Sequence, residues 1–270
     1  MGGRTEVALD GVPETMLWTL HNRASEAKRP DRLLDDPAAV AIYDAIDYDY
    51  ERSFGPPDGS HAIRSLVFDE RVRPWLAAHP GGEVVELACG LETQFKRCDD
   101  GQVRWICVDL PDAMKVREKF LPATTRCRHV TRSVLDFAWM DEVQGDRGVF
   151  LSAQGLLMYL PPSDVERLFV AIGDRFRGAT LMFDVIPRWF SRKTLAGFNI
   201  TKHYQAPPMP WGVDRGELEG TLRRWTPQVE RLEHIPFKSF RGIAGKVLPL
   251  VSRLPGLRNY LPGIVVVQFR

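Results

Sequence analysis

The sequence predicts an α/β fold on a mostly parallel sheet, from three observations. Short apolar runs at Glu83–Ala88, Val103–Val108, Gly148–Ser152 and Thr180–Val185 read as strands. Helical stretches near Thr93–Arg97, Asp112–Phe120 and Pro162–Phe176 alternate with them, and such alternation implies parallel strands joined by crossover helices. With 270 residues, 44% of them hydrophobic, the chain can bury one large core, so a single domain over 1–270 is expected.

The first 60 residues predict a helical cap, with helices at Glu14–Ala27 and Pro37–Ile46. Asp36-Pro37 supplies an N-cap followed by proline at the first helical position. Gly55-Pro56-Pro57-Asp58-Gly59 then breaks the chain. From Ala62 to Ala78, Ile63, Leu66, Val67, Val72, Trp75 and Leu76 recur at helical spacing, so a helix leads into the turn at Pro80-Gly81-Gly82. The cofactor-binding core is expected over 61–188. In the tail, Asp214–Trp225 reads as a helix, and Gln228–Pro236 and Gly263–Arg270 as strands that extend the sheet in antiparallel fashion. Stretches 189–213 and 238–262 are left as insertions that could act as lids.

Thirty-six basic residues against 35 acidic ones give a net charge of +1, so no global field would hold nucleic acid or an anionic membrane. A local patch at Arg241, Lys246, Arg253 and Arg258 is concealed within that balance. Cys89, Cys98, Cys107 and Cys127 match neither a zinc site nor a small disulfide framework, and reduced thiols with no metal are expected. No signal-like leader and no long apolar span stand out, which predicts a soluble cytoplasmic protein. The expected partner is a small molecule, not nucleic acid or membrane, and the expected state is a monomer or homodimer.

Val84-Val85-Glu86-Leu87-Ala88-Cys89-Gly90 is a strand running into a turn, and Asp109 stands 19 residues after Gly90 at the end of the next apolar strand. A carboxylate there can accept both hydroxyls of a ribose lying over the first turn. A dinucleotide's pyrophosphate needs Gly-x-Gly-x-x-Gly for close backbone approach; here those places hold Ala88, Gly90 and Thr93. S-adenosylmethionine carries no phosphate and needs one tight turn, so the pattern favours it over a nicotinamide or flavin. The plain alternative is a strand end with a solvated aspartate.

The segment Val85–Arg97 resembles the glycine motif of the leucine carboxyl methyltransferase family, including its bacterial polyketide-synthesis (tetracenomycin-type) O-methyltransferase branch. Asp35-Asp36-Pro37-Ala38, Arg64 with Phe68-Asp69, Val108-Asp109-Leu110-Pro111, Asp136–Trp139 and Ala153–Leu160 agree in order and spacing. The resemblance covers roughly 20–185 and implies a class I, Rossmann-like fold that binds S-adenosylmethionine and releases S-adenosylhomocysteine. It implies that Arg64 pairs with the methionine carboxylate, as a guanidinium suits, that Gly90 underlies the methionine backbone and that Asp109 binds the ribose. Ser133-Val134 falls where the family has an Asp-Leu pair recognising adenine, a contact that could shift to Asp136. Gln154, replacing a frequent glutamate, could still accept from the cofactor's amino group. Glu86, Ala88, Thr93, Leu110 and Gly155 complete the implied cofactor surface, and Arg23 matches a basic position that helps close the site.

A carboxylic acid acceptor, with a pKa of about 4, needs no general base, whereas a phenol near 10 does. No catalytic acid or base is therefore assigned; alignment of the reacting atoms is expected to do the work. Among the histidines only His203, beside Tyr204 in the middle insertion, is placed at a lid. Trp18, Tyr159, His203 and Tyr204, with Arg23, are the candidate substrate contacts. Aromatic covers suit an apolar or polycyclic molecule, although the same residues could simply cap the core. A non-catalytic cofactor-binding protein remains the rival, motivated by Ser133 and Gln154.

Overall fold

The computed structural model describes residues 4–236, 238, 241–254 and 256–270. Seven strands form the central sheet: β1 (Glu83–Leu87), β2 (Arg104–Asp109), β3 (Cys127–Thr131), β4 (Val149–Ala153), β5 (Thr180–Val185), β6 (Val229–Ile235) and β7 (Gly263–Phe269). Their spatial order is β3-β2-β1-β4-β5-β7-β6, and β7 alone runs antiparallel to its neighbours. The final strand therefore inserts between β5 and β6, a placement the sequence reading did not specify. The strand at Cys127–Thr131 was not expected.

Among the described residues ten α-helices surround the sheet: α1 (Thr15–Ala27), α2 (Pro37–Ala45), α3 (Tyr50–Phe54), α4 (Ser60–Ala78), α5 (Gln94–Cys98), α6 (Pro111–Phe120), α7 (Pro162–Arg175), α8 (Arg188–Leu195), α9 (Arg215–Trp225) and α10 (Gly242–Val251). Alternation along the strands sends Val85, Ile106, Leu151 and Phe183 to one face, against Leu168, Phe169 and Ile172 of α7 and Leu218 and Leu222 of α9. Val84, Trp105, Phe150 and Met182 point the other way, onto Val67, Phe68, Val72 and Leu76 of α4. Both faces are thus covered, as a parallel sheet requires.

The expected cap of α2 is present: the Asp36 side chain accepts from the Ala39 N–H at 3.0 Å, with Pro37 in the first turn. A third apolar cluster joins Met16, Leu17 and Leu20 of α1 to Tyr50 and Phe54 of α3, and to Leu91 and Ala113 beside the first strand. The helical cap is thereby laid over the ends of β1 and β2. The order of strand addition reverses between the parallel neighbours β1 and β4, and such switch points open a crevice at the carboxyl ends of the strands. The 189–213 insertion folds as α8 and a hairpin, Phe198–Thr201 with Tyr204–Ala206.

Candidate functional site

A cavity of about 430 Å³ fills that crevice. Its floor is the turn after β1, where Ala88 (φ 54°) is the only non-glycine residue of positive φ among the described residues, and Gly90 follows at φ 45°. An L-residue in that region is strained by about 1–2 kcal/mol, so Ala88 holds by force what a first glycine would hold freely. A Cβ on Gly90 would meet Met16 Cβ at 3.0 Å, which is how closely α1 covers the turn.

Asp109 closes β2 with its carboxylate over this turn: Oδ2 accepts from the Gly90 N–H at 2.7 Å and Oδ1 from the Leu110 N–H at 2.7 Å. Burial pushes its carboxyl up, while these two donors favour the charged form. Arg117 Nη1 donates to the carbonyls of Gly90 and Glu92 at 2.9 and 2.8 Å, fixing the turn from beneath. Glu86 is pushed well above the usual carboxyl range, chiefly by burial, and its Oε1 has no partner.

Across the cavity, Arg64 Nη1 donates to Asp184 Oδ2 at 2.9 Å and the Gly155 N–H donates to Asp184 Oδ1 at 2.6 Å. Arg64 Nε remains without a partner, as do both polar atoms of the buried Gln154 amide. Leu110, 44% exposed, forms an apolar ledge at the rim, next to Ser133 and Val134. Ser133 Oγ accepts from the Leu135 N–H at 3.2 Å. Asp136 does not line the cavity; its carboxylate is taken by Arg132 at 2.7 Å and the Ala138 N–H at 3.3 Å. The anticipated shift of adenine recognition to Asp136 is therefore not supported.

Of the expected residues, Arg64, Glu86, Ala88, Gly90, Asp109, Leu110, Ser133, Val134, Gln154, Gly155, Trp18 and Tyr159 line this one cavity. Four do not. Arg23 is 1% exposed, and its guanidinium reaches Asp36, Glu92 and Thr93 beneath the turn. Thr93 is buried in the same cluster, donating to Asp36 Oδ2 at 2.6 Å. Both brace the site from behind instead of touching a ligand. His203 lies on the far side of the hairpin, near Asp49 and Arg52, and Tyr204 packs edge-on against Phe54 at 4.9 Å. Both are corrections to the substrate surface, because the hairpin folds onto α3 and not over the crevice.

The structure adds residues the sequence reading did not single out. His61 lines the cavity beside Trp18, with ring centroids 5.2 Å apart. Asn22 Oδ1 accepts from the Asp58 N–H, so Asn22 Nδ2 donates to His61 Nδ1 at 2.7 Å. The imidazole is thereby held as the Nε2–H tautomer, and burial, with Arg64 nearby, lowers its pKa well below the ordinary value. Asp184, an acid at the end of an apolar strand, was the one addition with a visible sequence signal. Ile186 joins Met158, Met209 and Phe190 in an apolar wall under α8; Phe190 and Met209 belong to the aromatic-rich cover expected over 189–213, and Met158 to the stretch expected beside the crevice.

Residues 16–173 match the family model for leucine carboxyl methyltransferases. The chain belongs to that family. It is 33% identical over 210 residues to the tetracenomycin polyketide synthesis O-methyltransferase TcmP of Streptomyces glaucescens, covering 77% of each chain. It is 31% identical over 190 residues to the S-adenosyl-L-methionine-dependent methyltransferase dpfgK of Gibberella zeae, covering 64% of each. Among solved structures, a possible exported protein from Bordetella parapertussis aligns over 94% of this chain and 78% of its own, with a TM-score of 0.53 at 14% identity. The CurJ carbon methyltransferase aligns over 95% of this chain and 67% of its own, at 0.52 and 11%. These two likenesses speak for the fold.

Asp36, Asp69, Thr93 and Arg97, which stand in the segments that carry the resemblance, meet in one place. Arg97 pairs with Asp36 at 2.8 Å, Asp69 at 2.7 Å and Glu92 at 2.9 Å, all within the buried cluster that Arg23 joins. The cavity above it fits S-adenosylmethionine. The unpartnered Arg64 Nε and Gln154 amide offer a donor for its carboxylate and an acceptor for its amine. The Asp109 carboxylate offers the ribose acceptor, and the Leu110 ledge with Ser133 and Val134 offers the adenine surface.

Proposed function

We propose that this methyltransferase carries a methyl group from S-adenosylmethionine to an oxygen of a small, apolar or aromatic, polyketide-like molecule, with a carboxylate favoured over a hydroxyl. The sulfonium of that cofactor supplies an activated methyl; the chain's part is to hold the acceptor oxygen in line with it at attack distance.

The observation that carries the reading is the chemistry of the acceptor end. Trp18, Met158, Ile186, Phe190 and Met209 make it apolar, and among the described residues no free base stands beside them. His61 offers an N–H, Tyr159 is pushed by burial up to about 12, and Asp184 is engaged by Arg64 and Gly155. A carboxylic acid arrives ionised and needs none of them as a base. Similarity to TcmP supports oxygen as the methylated atom.

A screen of polycyclic aromatic acids and their phenol counterparts with labelled cofactor tests this. Methyl esters should form, with a rate flat between about pH 6 and 8, since an acid of pKa about 4 is ionised throughout. A rate rising about tenfold per pH unit would identify a hydroxyl acceptor. Tight cofactor binding without transfer to any oxygen would favour the non-catalytic binder.

A further inference from the structure

Residues 236–262 carry five basic side chains and no acidic one, in a chain whose net charge is +1. This connection between β6 and β7 holds α10 and a 3₁₀ turn at Leu257–Tyr260. Ile243, Val247 and Leu250 lie at i, i+4 and i+7, one face of α10, and are 83%, 46% and 64% exposed. Leu254, Leu257 and Tyr260, which follow the helix in sequence, are exposed as well. Single apolar residues on a surface are ordinary, whereas a contiguous group marks an interaction site. Lys246, Arg253 and Arg258 flank it, exposed and without an ion pair among the described residues.

One end of the segment is tied to the helical cap and the other to the wall of the cavity. Arg241 donates to Glu26 and Asp31 of the helical cap at 3.0 and 2.8 Å. At the other end Trp189 Nε1 donates to the Tyr260 carbonyl at 2.8 Å, and the Trp189 ring lies 5.6 Å from Phe190, which lines the cavity.

We propose that residues 241–260 dock the protein on an anionic lipid surface, with the apolar face of α10 in the headgroup boundary and Lys246, Arg253 and Arg258 on the lipid charges. An apolar stripe with Lys and Arg at its border and no acid is the composition of an interfacial helix. A second copy fits less well: a two-fold contact sets the same patch against itself, bringing three unpaired cations toward three others. Nucleic acid would gain from the charge and nothing from the stripe. Docking does not mean spanning, since no described helix is long and apolar enough to cross a membrane. The docking stands independently of the reaction proposed above.

The test is flotation of the full chain with phosphatidylcholine vesicles, with and without phosphatidylglycerol, alongside the variants Ile243→Asp/Leu250→Asp and Lys246→Glu/Arg253→Glu. Thermal melts verify that each variant is folded, and sizing reports its oligomeric state. The proposal expects wild type to float with anionic vesicles and weakly with neutral ones, and the first variant to stay in solution. Each cation removed should weaken anionic binding about fivefold, the equivalent of about 1 kcal/mol. The proposal is overturned by no flotation of wild type, by equal binding to both vesicle types, by retained binding in the Ile243→Asp/Leu250→Asp variant, or by a wild-type dimer that this variant dissociates.

Discussion

Burial alone would push the Glu92 carboxyl up, but the Arg23 and Arg97 guanidiniums and the Thr93 N–H outweigh it and hold it down to about 2, from an ordinary 4.5. Its ionised form therefore stabilises the fold above about pH 4.5, and that contribution is lost as the pH falls toward about 2. A shift of that size corresponds to about 3 kcal/mol; Asp69, pushed the other way by burial, offsets part of it. Glu92→Gln should melt lower at neutral pH and lose less stability on acidification, as pH-dependent denaturation would show. An unchanged acid profile would contradict the account. Gly90→Ala is argued from the backbone: a positive φ and Met16 Cβ at 3.0 Å should cost about 1–2 kcal/mol in the strain term alone. Denaturant midpoints measure it, and a neutral substitution would mean that α1 is not seated on the turn. Gly90 and Asp109 were legible because strand, turn and acid spacing mark them, whereas Arg64, inside α4, was implied only by the family resemblance. His61 was not, because what orients it is the distant Asn22. Arg23 was misread because a charge on a helix carries no sign of whether it faces a ligand or a buried acid.

The helical cap is held to the sheet by the cluster of Arg23, Asp36, Glu92 and Arg97, in addition to the apolar packing of α1. Breaking a buried pair from one side costs about 3–5 kcal/mol, so Arg23→Ala should loosen α1 and α2. Limited proteolysis should then cut within the first 60 residues, while a resistant variant would show that apolar contacts alone hold the cap. The long apolar strands β1, β2, β4 and β5 could be read directly. The strand β3 escaped because Cys-Arg-His-Val-Thr at a sheet edge is only half buried and has no apolar run. The position of β7 between β5 and β6 also escaped, since antiparallel pairing can be read from two strands but their neighbours cannot. The 238–262 stretch was legible only as an insertion, its glycines and prolines hiding any helical period, yet it holds α10 with Pro249 inside it.

At the scale of the whole molecule, the cap, the switch point of the sheet and the α8 insertion meet around one cavity, and the family motifs divide between its lining and its buried brace. The central claim is that this cavity binds S-adenosylmethionine through Asp109 and Arg64. The most direct measurement is a thermal melt of wild type, Asp109→Ala and Arg64→Ala with and without the cofactor and S-adenosylhomocysteine. Ligand at about 100 times its dissociation constant should stabilise wild type by about 2.7 kcal/mol, a rise of several degrees for a chain of this size. Both substitutions should abolish most of that rise while leaving the unliganded protein folded. Absence of a shift in wild type with either ligand, or an undiminished shift in both variants, would contradict the account.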